Sequence, residues 1–219
     1  DQGPEDLAVA NADDAVEASH HGRARRVTFT TRGGDGYHLV GDVLVTDDGT
    51  ELVALDALWR AFPHDVANAL AASATALGAG ASLDGVRATL TGFAGMHHRV
   101  ELVAEHGGVR FYDDSKATVP HAVAAALAAF ESVVLIAGGR NKGLDLGALT
   151  AGAGHVASVV AFGEAGAEIE EAFAGVSPVT RVKTMREAVR AAAEVAVPGD
   201  VVLLSPGCAS FDAYSGYGE

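Results

Sequence analysis

The sequence predicts an α/β protein, with a doubly wound, mostly parallel sheet in its second part and a smaller α/β region before it. Three observations carry this expectation. From about residue 100 onward, apolar strand-like runs alternate with helical patterns, and parallel neighbours need a crossover connection that is usually a helix. Hydrophobic residues make up 49% of the chain and aromatics only 6%, so the apolar content is mostly Ala, Val and Leu, as in helix-rich α/β domains. The 219 residues fit one large domain or two small ones at roughly 100 to 200 residues per domain. The run 91–95 (TGFAG) breaks the periodicity, which sets a boundary between residues 1–95 and 96–219.

In the first region, residues 27–30, 37–40 and 43–45 are short alternating apolar segments, and Asp48-Gly49 turns the chain into 51–55, together a sheet edge or meander. Apolar residues recur at helical spacing from Asp65 to Leu77, ending at Gly78, and Ser82 caps a second helix to about Leu90. In the second region, strands at 100–104 and 109–112 flank a Gly107-Gly108 turn. Helices are expected at 119–130, 164–174 and 184–196, and strands at 132–137, 156–162, 178–182 and 201–204.

Fifteen Lys and Arg against 29 Asp and Glu give a formal charge of −14, which repels phosphate backbones and anionic membrane surfaces. No nucleic acid and no membrane partner is expected. One cysteine, Cys208, allows no internal disulfide and no cysteine metal cluster, in keeping with a reducing cytoplasm. No apolar run reaches the roughly 18 residues of a membrane-spanning helix. The chain starts without Met and stops in a Gly/Tyr-rich run, so it reads as a cytoplasmic piece of a longer protein.

In an open parallel sheet the ligand crevice lies outside the carboxyl ends of the strands, so the loops after the strands are the informative places. Residues 113–118 (DDSKAT) precede a helix starting near Pro120. They read either as an anion site at a helix N-terminus with Lys116 adding charge, or as a plain N-cap. Residues 138–143 (GGRNKG) follow a buried strand. Their glycines would let backbone approach a ligand, and two cations suit carboxylate or phosphate, although a plain turn has the same composition. The phosphate-cradling spacing Gly-x4-Gly-Lys-Ser/Thr occurs nowhere in the chain. Residues 205–212 (SPGCASFD) form a small-residue loop in which Ser210 can hydrogen-bond a ligand, while Cys208 reads as a small buried hydrophobe and not a nucleophile. His97-His98-Arg99 stands at the boundary; adjacent strand residues face opposite ways, so the two His are not expected to share a metal, and the run reads either as one functional His with an Arg or as a solvated pair.

Together, Asn11-Ala12-Asp13-Asp14, 64–72 (HDVANALAA), 95–100 (GMHHRV), 112–118 (YDDSKAT), 136–143 (IAGGRNKG) and 203–212 (LLSPGCASFD) resemble the Mur ligases over essentially the whole chain, in family order and spacing. The Asp-Ser-Lys-Ala-Thr form resembles the D-glutamate-adding branch. The resemblance implies a Rossmann-like C-terminal domain at 96–219, D-glutamate-binding and truncated at its end, preceded at 1–95 by the last part of the central ATPase domain. It also implies ATP-dependent amide ligation in peptidoglycan precursor synthesis, by a monomer using ATP and Mg2+. The carboxylate of UDP-N-acetylmuramoyl-L-alanine is phosphorylated and the D-glutamate amine attacks the acyl phosphate.

Carried over by the resemblance, Asn68 faces adenine, and Arg99 and Asp114 contact the phosphates and ribose. His98 and Lys116 lie near the transferred phosphoryl group as catalytic residues. Thr118, Lys142, Ser210 and Phe211 line the D-glutamate pocket, with Tyr217 where Phe is common. No metal ligand is assigned to this chain. The sequence departs from the family pattern at Asp65, usually Asn, at Val119, usually Asn, and at His97, often Pro. The family's phosphate loop and carbamylated lysine would lie upstream of Asp1, so this chain alone is expected to be inactive. The competing readings are a non-catalytic nucleotide- or anion-binding module and another Mur or folylpolyglutamate synthase-like ligase.

Overall fold

The computed structural model describes residues 2–209. The chain divides into two compact units, residues 1–95 and 96–219.

In the first unit, β1 (Leu7–Asn11) and β2 (Arg25–Phe29) pair in parallel through a crossover holding the short helix α1 (Ala15–Ser19). Antiparallel β3 (His38–Val40), β4 (Val43–Val45) and β5 (Glu51–Ala54) follow. The expected meander is antiparallel only from residue 38 onward: of the segment read at 27–30, residues 27–29 belong to β2, which pairs with β1, a strand that no pattern in the sequence marks, and meets the meander segment through a bridge from Phe29 to Tyr37. Helix α2 (Pro63–Gly78) has Pro at its first turn, where a missing N–H costs nothing. Helix α3 (Leu83–Gly92) is capped by Ser82, whose Oγ accepts from the Gly85 N–H at 3.1 Å. Leu44, Leu52, Val66, Leu70 and Val86 form the core of this unit.

The second unit is built on a six-stranded sheet. Its strands are β6 (Glu101–His106), β7 (Val109–Asp113), β8 (Val133–Gly138), β9 (Val156–Phe162), β10 (Val179–Arg181) and β11 (Val201–Gly207), in spatial order β10-β9-β8-β11-β7-β6. All neighbours are parallel except the β6–β7 hairpin, whose turn places Gly107 and Gly108 at φ 60° and 77°. Every residue of β8 is buried, as a strand covered on both faces requires. Helix α6 (Met185–Val195) packs Ala188 and Ala192 on Val134, Ile136, Val160, Phe162 and Val202 of one face. Helix α4 (Pro120–Leu127), the 3-10 segment Leu146–His155 and α5 (Gly166–Ala172) adjoin one another and contribute nothing to that cluster. They cover the alternate residues, Val133, Leu135, Val159 and Leu203, which are as deeply buried.

The α/β class and the parallel, doubly wound sheet are as the sequence predicts. Strand β11 continues three residues past the expected end, through Pro206. Its pairing with β8 shifts register between Leu204 and Gly207, where proline's missing donor is tolerated.

Candidate functional site

Because β7, β8, β9 and β11 run parallel, their carboxyl ends share one rim. The strand order reverses there: β8, β9 and β10 step outward, and β11 returns between β8 and β7. Such a reversal is where doubly wound sheets open a ligand crevice.

The segment before β6 is held against the end of β7. His98 and Val100 have φ of 64° and 48°, and for a β-branched residue such as Val100 this is a rare, strained conformation. Three bonds hold it: Glu101 Oε2 accepts the His98 N–H at 2.8 Å, Asp114 Oδ1 accepts the Val100 N–H at 3.3 Å, and the Lys116 N–H reaches the His98 carbonyl at 3.3 Å. The last of these sets the two expected catalytic residues side by side. His98 Nδ1 lies 2.7 Å from Asp113 Oδ2. With the carboxylate accepting, Nδ1 is the donor, which fixes the orientation of the ring. Burial pushes the Asp113 carboxyl up, but hydrogen bonds from His98 and Ser115 outweigh it and leave its pKa below the ordinary value.

Asp114 is 4% exposed. Its Oδ2 accepts from Ser205 Oγ at 2.7 Å, and its own N–H donates to the Leu204 carbonyl at 2.8 Å. Desolvation by burial dominates its titration: the pKa is pushed up to about 6, against the opposing pull of Ser205, Val100 and the Arg99 charge. Arg99 itself is exposed.

The end of β11 ties two further loops together. The Gly207 N–H donates to the Ala117 carbonyl at 2.8 Å, between Lys116 and Thr118. Two residues later, Ala209 and Arg140 exchange backbone hydrogen bonds at 2.7 and 3.1 Å. Lys142 follows two residues along that loop, exposed. Gly138 and Gly139, read as a place for a ligand to approach, have φ of 152° and 117°, and a side chain there would run into the carbonyls of Phe162 and Ala209. The close approach is to the protein's own backbone.

The rim therefore brings together the segments carrying His98, Arg99, Asp114, Lys116, Thr118 and Lys142. Asn68 belongs to the first unit and is exposed on α2. Asp65, on the same helix, is occupied by Arg60 through bonds of 2.6 and 2.9 Å. Ser210, Phe211 and Tyr217 lie outside the described residues. Cys208 is buried, as expected of a small hydrophobe.

Sequence reasoning included Asp113 and Ser205 within its candidate loops but gave neither a role, and it passed over Glu101. The signal was register: Glu101 and Asp113 face each other at the end of the β6–β7 hairpin, three and fifteen residues from His98.

A family profile described as "Mur ligase, glutamate ligase domain" matches residues 98–208. A UDP-N-acetylmuramoylalanine--D-glutamate ligase of Desulfosudis oleivorans is 41% identical, aligned over 99% of this chain and 49% of its own length. One of the same name from Methylococcus capsulatus is 43% identical over 98% of this chain and 49% of its own. The chain thus spans about half the length of the curated relatives it matches. In fold it is similar to a pseudomurein peptide ligase type C from Methanothermus fervidus, with a TM-score of 0.66, 15% identity and coverage of 91% of this chain and 54% of that one. Among the described residues, no helix is long and apolar enough to cross a membrane.

Proposed function

Since this chain belongs to the Mur ligase family through its glutamate ligase domain, we propose that residues 96–219 bind D-glutamate. They do so for a ligase that joins it to UDP-N-acetylmuramoyl-L-alanine in peptidoglycan precursor synthesis, with 1–95 the last part of the ATPase domain. The observation that carries this reading is the double attachment of the β11 end, to Ala117 on one side and to Arg140 on the other. It keeps the loops bearing Lys116, Thr118 and Lys142 at one rim.

A dicarboxylic amino acid needs a fixed cation at one end and its amine aimed at the acyl phosphate at the other. Lys142 supplies the cation and Thr118 a hydroxyl at the same rim; Ser210, Phe211 and Tyr217 are assigned to the same amino acid by the family resemblance alone. Lys116 neutralises the phosphoryl oxygens as charge develops, and His98, oriented by Asp113, faces the same centre. Arg99 serves the nucleotide phosphates and Asn68 the adenine; Asp114, expected to touch the nucleotide, is buried with its oxygens on Ser205 and Val100 and instead holds the segment that carries Arg99.

ATP is the phosphoryl donor in this reading, and Mg2+ would neutralise its oxygens. Among the described residues the grouping with ligand chemistry for a divalent cation is His98, Glu101 and Asp113, with donor atoms within 4.8 Å of one another. It does not fit Mg2+. The four carboxylate oxygens already face His97, His98 and Ser115 donors, and the ion demands a near-octahedral oxygen shell. No residue of this chain is assigned to it.

The test is phosphate release by the full-length protein. It is expected to require ATP, UDP-N-acetylmuramoyl-L-alanine and D-glutamate together, and to be absent from the 219-residue chain alone. Lys142→Ala should raise the KM for D-glutamate at least about tenfold, the cost of a lost charged hydrogen bond of roughly 1.5 to 3 kcal/mol, with the KM for ATP unchanged. Turnover independent of D-glutamate, or ligand binding without turnover in the full-length protein, would overturn the reading.

A further inference from the structure

We propose that Arg140 is a positioning residue and not a ligand for the substrate: with Glu164 it forms a latch that fixes the loop carrying Lys142. The inference rests on the assignment of Lys142 to the amino-acid carboxylate.

By composition, Arg140 and Lys142 are two equivalent cations on one loop. The geometry separates them. Arg140 Nε and Nη2 donate to the two carboxylate oxygens of Glu164 at 2.9 and 2.8 Å, the planar fork-to-fork pairing that suits guanidinium and carboxylate. Its backbone is bound on the other side to Ala209. Next in the chain, Asn141 closes the turn around Lys142 and Gly143: its Oδ1 accepts the Leu144 N–H at 2.8 Å and its Nδ2 donates to the Leu144 carbonyl at 3.0 Å. The same Nδ2 donates to Glu168 of α5 at 2.7 Å. The Gly139 carbonyl accepts the Ala165 N–H at 2.8 Å. Three successive residues, 139 to 141, are thus tied to the segment 164–168. The turn they hold presents Lys142 at its tip.

Glu164 cancels the charge of Arg140, so Arg140 acts on substrate through the loop. Fixing a cation within a fraction of an ångström matters because a misplaced contact is paid for in binding. The latch itself is half-exposed, at 49% and 54% for the two side chains, so the effect of breaking it is expected to be modest, about fivefold.

The experiment is steady-state kinetics of the full-length protein with D-glutamate as the varied substrate. Arg140→Ala and Glu164→Ala are each expected to raise its KM about fivefold. The double variant should do no worse than either, and the exchanged pair Arg140→Glu with Glu164→Arg should recover most of the loss. The KM for ATP should stay constant throughout, which separates this effect from misfolding; Glu164→Gln serves as the milder variant.

A rise for Arg140→Ala with none for Glu164→Ala would make Arg140 a direct ligand and overturn the latch. So would an additive double variant, or no change in any of them. If those variants are silent while Lys142→Ala raises KM, only the latch falls. If Lys142→Ala is silent too, the assignment of the pocket falls with it.

Discussion

Asp114 shows what burial of one carboxyl does to the whole chain. Its pKa of about 6 in the folded state lies above the ordinary 3.8, so the folded state holds this proton more tightly than the unfolded chain. Its contribution to stability is fully present below about pH 4 and is lost as pH rises through about 6. The ceiling is on the order of 3 kcal/mol at about 1.4 kcal/mol per unit. Asp113, Glu101 and Glu187, whose pKa values are lowered, act with the opposite sign and lose their contribution only as pH falls below their ordinary range. Urea midpoints measured between pH 4.5 and 7 should therefore decline with rising pH, and Asp114→Asn should flatten that slope. The carboxyl was visible in the sequence as part of a loop after a strand. Its burial was not, because Ser205 lies 91 residues away and only the pairing of β7 with β11 brings it there. The glycines at 138 and 139 were legible as special, but the chain they accommodate could not be named before the sheet order was known.

Among the elements, those with a strong period were legible and those without one were not. Helix α6 carries Thr184 at its N-cap, whose Oγ accepts the Glu187 N–H at 3.3 Å while Glu187 returns to the Thr184 N–H at 3.1 Å. This reciprocal box marks a helix start in sequence and structure alike. Thr184→Ala should cost about 1 kcal/mol, read as a lower urea midpoint with unchanged slope. Strand β1 is the run LAVAN, every residue of it half-buried, so its two faces do not differ and no alternation marks it. Helix α1 is of similar length and has no buried residue, so it lacks an apolar stripe. The 3-10 segment Leu146–His155 is rich in Gly and Ala and offers no face to a periodicity argument. Its place is set by packing on α4, where Gly152 lies so near Leu127 that a side chain would collide with it.

Across the whole molecule, each unit has its own core. Leu70 is 0% exposed in the first and Leu135 is 0% exposed in the second. Truncating either to Ala should cost about 2 to 5 kcal/mol. Since the two side chains share no cluster, each truncation should weaken only its own unit and the double variant should show both losses undiminished, as chemical denaturation would report. The global class was the most legible level of all, because alternation of strand and helix leaves few topologies open. The rim was legible as a set of loops; which of them touch was decided by β11. That strand follows β6 to β10 in chain order yet lies between β8 and β7. On the ribosome, the pieces it joins emerge first, with facing edges unfilled. A nascent chain can bring the loops of the rim together only when the central ribbon slots home, so the rim forms in a single event and not by degrees.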